Sequence, residues 1–256
     1  DAFVEIQGQN ECAARLDDTT TSILSHYLRG LSARPLRVKT GETACTDTET
    51  VYLPAFINQF EDPEENAILY RLTATQLWAQ IHFGTFRRES AKAPTLSQIL
   101  DHYEDPKRAH KLFQLLEQVR LEGCVRRAFP GLARQMDRLN KAFSAGIKKT
   151  HTLAAPLLEP NATVQDTLAL LEDLYEDNPG LPPSPPWAGE IDITRAEKIS
   201  AARVERETQQ LAQAISALLA SAADAAEPAD EITLQKVAQP DEKAGEAESF
   251  VISVGG

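Results

Sequence analysis

The stretch DPEENAILYRLTATQLWAQIHFGTF, Asp62–Phe86, decides the fold class. Asp62 carries an oxygen able to cap free backbone N–H groups, and Pro63 suits a first helical turn, where no N–H is needed. Glu64 and Glu65 favour the positive end of the helix. Ile68, Leu69, Leu72, Leu77 and Ile81 then supply a core stripe, and Gly84 closes the helix. The same grammar returns in DPKRAHKLFQLLEQVRLEGCVRRAFPGL, Asp105–Leu132, with Asp105 as cap and Pro106 in the first turn. Leu112, Phe113, Leu116, Val119 and Val125 lie on or near one face, and Pro130-Gly131 interrupts it.

Working outward, a first helix is expected from Thr19 to Ala33. Asp17, Asp18 and Thr19 can cap it, Ile23, Leu24, Tyr27, Leu28 and Leu31 recur at helical spacing, and Gly30 and Pro35 help end it. Leu36–Pro54 is rich in Thr and reads as an irregular connection with room for one brief hairpin. A fourth helix over Leu132–Ile147 spaces Leu132, Met136, Leu139 and Phe143 as a packing stripe. A short amphipathic helix follows at Val164–Tyr175. Then come five prolines in the eight residues Pro179–Pro186, whose fixed φ favours a stiff extended spacer. Thr194–Ala222 is one long helix-forming stretch. Asp224–Glu248 has few apolar anchors to offset the entropy of ordering, and Phe250–Val254 turns apolar again. The expected architecture is mainly α: a multi-helix domain over 1–180 with one irregular segment, a proline-rich linker over 181–193, a long helix over 194–222, and an acidic, largely disordered tail over 223–256.

A chain of 256 residues is long enough for one large or two small cores. No apolar run approaches the roughly 18 residues of a membrane-spanning helix, so no membrane insertion is expected. The chain starts at Asp1 without a methionine or a signal-peptide pattern and reads as a fragment. Cys12, Cys45 and Cys124 lack CxxC spacing, which argues for a reducing cytoplasm and against a disulfide scaffold or zinc ribbon. The net charge of −12 is uneven: residues 1–150 hold 20 Lys/Arg and 19 Asp/Glu, residues 151–256 hold 6 and 19. Lys107–Lys149, with 11 basic and 3 acidic residues, should present a basic face that attracts an acidic protein partner. Without aromatic interleaving or a groove-reading motif, nucleic acid is not the expected partner.

The chemical motifs point away from catalysis. Gly146-Ile-Lys-Lys-Thr150 lacks the first glycine and the spacing of a phosphate loop, and neither HExxH, GxSxG nor GxGxxG occurs. His26, His82, His102, His110 and His151 are scattered. Only His102 and His110, beside Asp101, Glu104 and Asp105, suggest even a weak metal cluster, which Lys107 and Lys111 oppose. Glu117 and Glu122 with Arg120, Arg126 and Arg127 form the densest charged group. Glu122 and Arg126 are four apart, so a solvated intrahelical ion pair is the simplest reading. The functional reading places Arg126, Arg127 and Arg134 at an interface for an acidic partner.

Leu53-Pro54, the stretch Asp62–Phe86 with Asn66, Tyr70-Arg71 and Phe83-Gly84-Thr85-Phe86, and Glu117–Leu132 with Arg120, Arg126-Arg127 and Phe129-Pro130-Gly131-Leu132 resemble the helical region of the CbbO/NorD family. The resemblance covers mainly Val51–Phe143, with weaker support at Gly189–Arg206. In that family the helical region precedes a von Willebrand A domain, and the protein is an adaptor of a MoxR-type AAA+ hexamer. The wording of Tyr70–Phe86 is more similar to the CbbO branch. That branch implies a CbbQ-like ATPase as partner and Rubisco as client, freed of inhibitory sugar phosphates; the NorD branch implies nitric oxide reductase maturation instead. This chain departs from the family in having no DxSxS metal-adhesion motif and no von Willebrand A domain. The resemblance therefore implies a non-catalytic, cofactor-free docking part of a cytoplasmic adaptor. A helical metal-dependent hydrolase built from the scattered His, Asp and Glu is the alternative of another class.

Overall fold

The computed structural model describes residues 12–32, 35–90, 92–140, 151–176 and 184–225, with 233–236 and 250–253. The chain divides into two units, Asp1–Ala201 and Ala202–Gly256. The first is mainly helical. It opens with strand β1 (Ala14–Arg15) and helix α1 (Asp18–Ser32), whose first turn is capped where Thr20 N–H donates to Asp17 Oδ1 at 2.7 Å. Gly30 lies inside α1, which runs on to Ser32.

The expected irregular connection is a small mixed sheet instead. Strands β2 (Arg37–Thr40), β3 (Cys45–Thr46) and β4 (Thr50–Leu53) stand in the order β2-β4-β3, with β2 parallel and β3 antiparallel to β4. The β3–β4 turn is tied by side chains: Asp47 Oδ1 accepts from Glu49 N–H at 3.0 Å and Thr50 N–H at 2.7 Å, and Thr46 Oγ1 donates to the Thr50 carbonyl at 2.9 Å. The Thr-rich wording marks this turn chemistry. The parallel pairing joins residues distant in sequence and has no short-range signal. Strand β5 (Phe56–Ile57) pairs with β1.

Helices α2 (Pro63–His82) and α4 (Pro106–Ala128) run through the centre, both with the expected Asp-Pro starts: Asp62 accepts from Glu64 N–H and Asp105 from Arg108 N–H. Gly84, at φ +75°, ends α2 in a conformation that only glycine adopts cheaply. Between them lies α3 (Leu96–Asp101). After α4 come α5 (Pro130–Asn140), a 3₁₀ turn (Ala155–Leu158) and α6 (Val164–Tyr175). Of the fourth helix expected to reach Ile147, the part up to Asn140 is present, with Leu132, Met136 and Leu139 buried; Phe143 and the rest fall outside the described residues.

Two apolar cores result. One joins α1, the sheet, α2, the C-terminal half of α4, α5 and Trp187. The other joins α3, the N-terminal half of α4, the 3₁₀ turn, α6 and Ile193. Helix α4 serves both, so it is buried around almost its whole circumference between Leu112 and Val125.

The assignment of 181–193 to a linker needs correcting. Residues 177–183 lie outside the described residues, but Trp187 is fully buried, and Ala188 and Ile193 are buried with it. Glu190 N–H donates to the Ala44 carbonyl at 2.6 Å, while Gln80 and Gln114 donate to the carbonyls of Glu190 and Gly189. Gly189, at φ +66°, leaves no room for a side chain, since a Cβ there would stand 2.7 Å from Leu77 Cδ2. The proline run masks a core-filling segment because proline composition says nothing of the tryptophan that follows it. The long helix is present as α7 (Ile193–Ala225); its first turns are held in this unit, where Ser97 N–H and Oγ donate to Glu197 at 3.1 and 2.6 Å and Arg195 lies over the Tyr52 ring at 4.0 Å.

The second unit holds the remainder of α7 and two short strands, β6 (Thr233–Lys236) and β7 (Phe250–Ser253), which pair antiparallel. Most of the expected acidic tail lies outside the described residues. Within it, Thr233–Lys236 forms a strand, and Phe250–Ser253 is its partner.

If 187–193 is core, Trp187→Ala should cost about 3–5 kcal/mol. Urea unfolding followed by far-UV circular dichroism measures this, and a loss below about 1 kcal/mol would return the segment to the status of a surface linker.

Candidate docking groove

The most concentrated charges in the sequence turn out to be structural. Glu117 and Arg120 are buried on α4, and the guanidinium meets the carboxylate in a fork: Nε to Oε2 at 2.8 Å and Nη2 to Oε1 at 2.5 Å. The carboxylate also accepts from Thr85 Oγ1 at 2.5 Å and Thr167 Oγ1 at 2.8 Å. Arg120 donates further to the carbonyls of Phe83 and Ala162 at 3.2 and 3.3 Å. Burial of charge is tolerated only with this degree of satisfaction.

Glu122, read from the sequence as one half of a solvated pair, is buried as well. Arg126 Nε donates to it at 2.7 Å, His151 Nε2 stands 3.9 Å away, and Arg126 Nη1 reaches Asp137 at 2.7 Å. Burial pushes the Glu122 carboxyl up, but the nearby His151 imidazole and the Arg126 guanidinium outweigh it and hold the group below its ordinary value of 4.5.

These pairings thin the expected basic face over Lys107–Lys149. Arg120 and Arg126 are spent internally, and Arg108 lies over the Tyr175 ring at 4.4 Å. Arg138 is held by Asp62, Glu64 and Glu65 at 3.0–3.4 Å. Lys141, Lys148 and Lys149 fall outside the described residues. The three arginines assigned to a partner are not equivalent. Arg126 is pinned to Glu122 and Asp137, and Arg127 donates to the Leu158 carbonyl at 2.6 Å. Arg134 is exposed and makes no ion pair among the described residues.

Arg134 stands on the rim of a groove between α1, α2 and the α4–α5 corner, with a cavity volume of about 720 Å³. Leu31, Ile68, Phe129 and Leu132 supply its apolar lining. A second cavity of about 590 Å³, lined by β1, α1 and α2, shares Tyr27 and Arg71 with the first, so the two adjoin as the two parts of a furrow along α1 and α2. Ile23, the large apolar side chain of α1 left 63% exposed, lies in the second part.

Arg71 is the charged residue at the junction. Its neighbours on α2 spend their polar groups inward: Tyr70 donates to the Pro54 carbonyl at 2.8 Å, and Asn66 makes four hydrogen bonds to the backbone of Cys12, Gln59 and Phe60. Burial pushes the Tyr70 phenol up to about 12. Tyr27 Oη bonds Thr75 Oγ1 at 2.7 Å; burial raises its phenol too, against the pull of the Arg71 charge beside it. The Arg71 guanidinium has no hydrogen-bond or ion-pair partner among the described residues, and its Nε is buried. The sequence placed Arg71 among the polar remainder of its helix, and only the convergence of α1 and α5 on that face marks it out.

Among the described residues no three His, Cys, Asp or Glu side chains come together as a metal site. His110 Nε2 stands 3.5 Å from Asp101, and the cysteines are unpaired thiols. No protein-family model matches this chain, and neither a curated protein nor a solved structure matches it.

Two tests follow from these charges. Arg120→Met should destabilise the protein by about 3–5 kcal/mol, because it strands the Glu117 carboxylate, whereas Arg120→Met with Glu117→Gln should cost less than the single change. Urea titrations of the three proteins measure the cycle, and additive losses would contradict the pairing. For Glu122 the stability is present above its unfolded value near 4.5 and is lost as pH falls through the lower folded value. Unfolding measured across the acid range should therefore show a shallower decline in Glu122→Gln than in the wild type; equal slopes would show that Glu122 contributes nothing there.

Proposed function

We propose that this chain is a non-catalytic adaptor domain whose furrow along α1 and α2 receives an acidic, apolar-faced segment of a partner protein. Arg71 carries the reading. The Arg71 guanidinium has no ion-pair partner among the described residues, a docked carboxylate would supply one, and Arg71 lies where both parts of the furrow meet. The apolar lining supplies burial, and the exposed Arg134 on the rim supplies encounter rate.

The resemblance of Asp62–Phe86 and Glu117–Leu132 to the CbbO/NorD region names the partner in this proposal: a MoxR-type AAA+ hexamer in the cytoplasm, with Rubisco as client of the assembly. Phe129-Pro130-Gly131-Leu132, one of the stretches that carry the resemblance, forms the corner of the groove. Nitric oxide reductase maturation, through the NorD branch, is the second client reading, since the same stretches carry it. No helix among the described residues is long and apolar enough to cross a membrane.

Reversing charge at the groove separates this proposal from its competitors. Arg71→Glu with Arg134→Glu should slow association with the ring ATPase by about tenfold or more and flatten its loss with salt. Deleting 224–256 should leave most of the binding. Surface plasmon resonance on both variants decides: unchanged association by the folded double variant would eliminate the groove, and loss of binding on deletion would move the site to the C-terminal segment.

A further inference from the structure

The two parts of the furrow are walled mainly by helices. On α1, Ile23, Tyr27 and Leu31 recur at a spacing of four, with Thr20 one turn before them, and all of these line it. On α2, Glu64, Ile68 and Arg71 follow at spacings of four and three. Rows at this spacing are the ridges by which helices pack, and two such ridges side by side leave a channel into which the ridge of a further helix fits. The row from Thr20 to Leu31 spans about 16 Å, or about three helical turns.

The backbone of these walls decides between a helical and an extended occupant. Residues 20–31 and 64–71 lie inside α1 and α2, where N–H and C=O groups are bonded along the helix or to its capping aspartate. At the α4–α5 corner, Phe129 N–H donates to the Val125 carbonyl and Leu132 N–H to the Phe129 carbonyl, while Pro130 has no N–H to give. The strand that reaches the furrow, β1, is two residues long and already paired with β5. An extended segment would therefore lose water from its own N–H and C=O groups and find little to bond. A helix arrives with those groups already satisfied.

Charge and apolar surface then fix the pattern of the occupant. Glu64 is paired with Arg138, so the remaining charges of the lining are Arg15, Arg71 and Arg134 against Asp17, which caps α1. Arg71 stands at the junction, with Ile23 and Leu24 in one part of the furrow and Leu31, Phe129 and Leu132 in the other. We propose, resting on the docking reading given above, that the partner's segment is one amphipathic helix of about three turns. It sets an Asp or Glu at mid-length against Arg71 and an apolar side chain three or four residues before and after it, on the same face. A contact of this length buries less than a standard interface, so it exchanges quickly.

The test uses the full chain. Phage-displayed random peptides of about sixteen residues, long enough for three turns with frayed ends, are selected on the immobilised protein. Made synthetically, the selected peptides should carry an acidic residue with apolar ones three or four positions to either side, and should gain helical circular dichroism on binding. Arg71→Glu should weaken them by about tenfold or more, and so should Ile23→Glu, which alters an exposed side chain and should keep the wild-type urea transition. Peptides that depend on Arg71 but bind without gaining helix, or with proline at mid-length, would overturn the helical occupant and leave the docking reading standing. Dependence on Arg71 with indifference to Ile23→Glu would overturn the three-turn span in the same way. A selection yielding no peptide sensitive to either substitution would remove the docking reading itself, and the helix with it.

Discussion

The Glu117–Arg120 pair is the interaction on which the first unit depends. It sits on α4 where the two apolar cores meet, between Leu116 and Val119 of one and Leu121 of the other. Its hydrogen bonds reach the end of α2 through the Phe83 carbonyl, the turn after it through Thr85, and the start of α6 through Thr167 and the Ala162 carbonyl. An ion pair in such a place adds little net free energy over a well-packed apolar pair. What it imposes is geometry, because three separate pieces of chain must arrive in register or leave a charge stranded.

That constraint explains why α2 and α4 carry so many polar residues without being surface helices. Asn66, Gln76, Gln80 and Tyr70 on α2 each donate to a backbone carbonyl of another segment, and Gln114 does the same from α4. Loops that would otherwise bury unsatisfied carbonyls are held by these side chains. The 184–193 segment depends on two of them. Its Trp187 fills the first core only because Gly189 can pass close to Leu77 and Ala44.

Against this background of inward-directed polar groups, Arg71 and Arg134 differ from the other arginines of the unit's centre. Arg120 and Arg126 are spent on Glu117, Glu122 and Asp137, and Arg138 on Asp62, Glu64 and Glu65. Counting charges along the chain cannot separate the two groups, since net charge over a segment ignores which residues face each other. The local excess of basic residues thus contracts to a few side chains, of which Arg134 borders the apolar groove that Arg71 also lines.

The helical class and the starts of α2 and α4 were determined by the sequence alone, because Asp-Pro capping and helical apolar spacing act within one or two turns. The same holds for Val164–Tyr175 and for the length of α7 as a helix. The parallel pairing of β2 with β4, the burial of Glu122 and the place of Trp187 in the core were decided only by the tertiary structure. Each joins residues far apart in the chain, and local propensity carries no record of such a contact. Arg71 belongs to the second kind: on its own helix it is one more polar residue among several, and it becomes a candidate anchor only when α1 and the Phe129–Leu132 corner close on the same side.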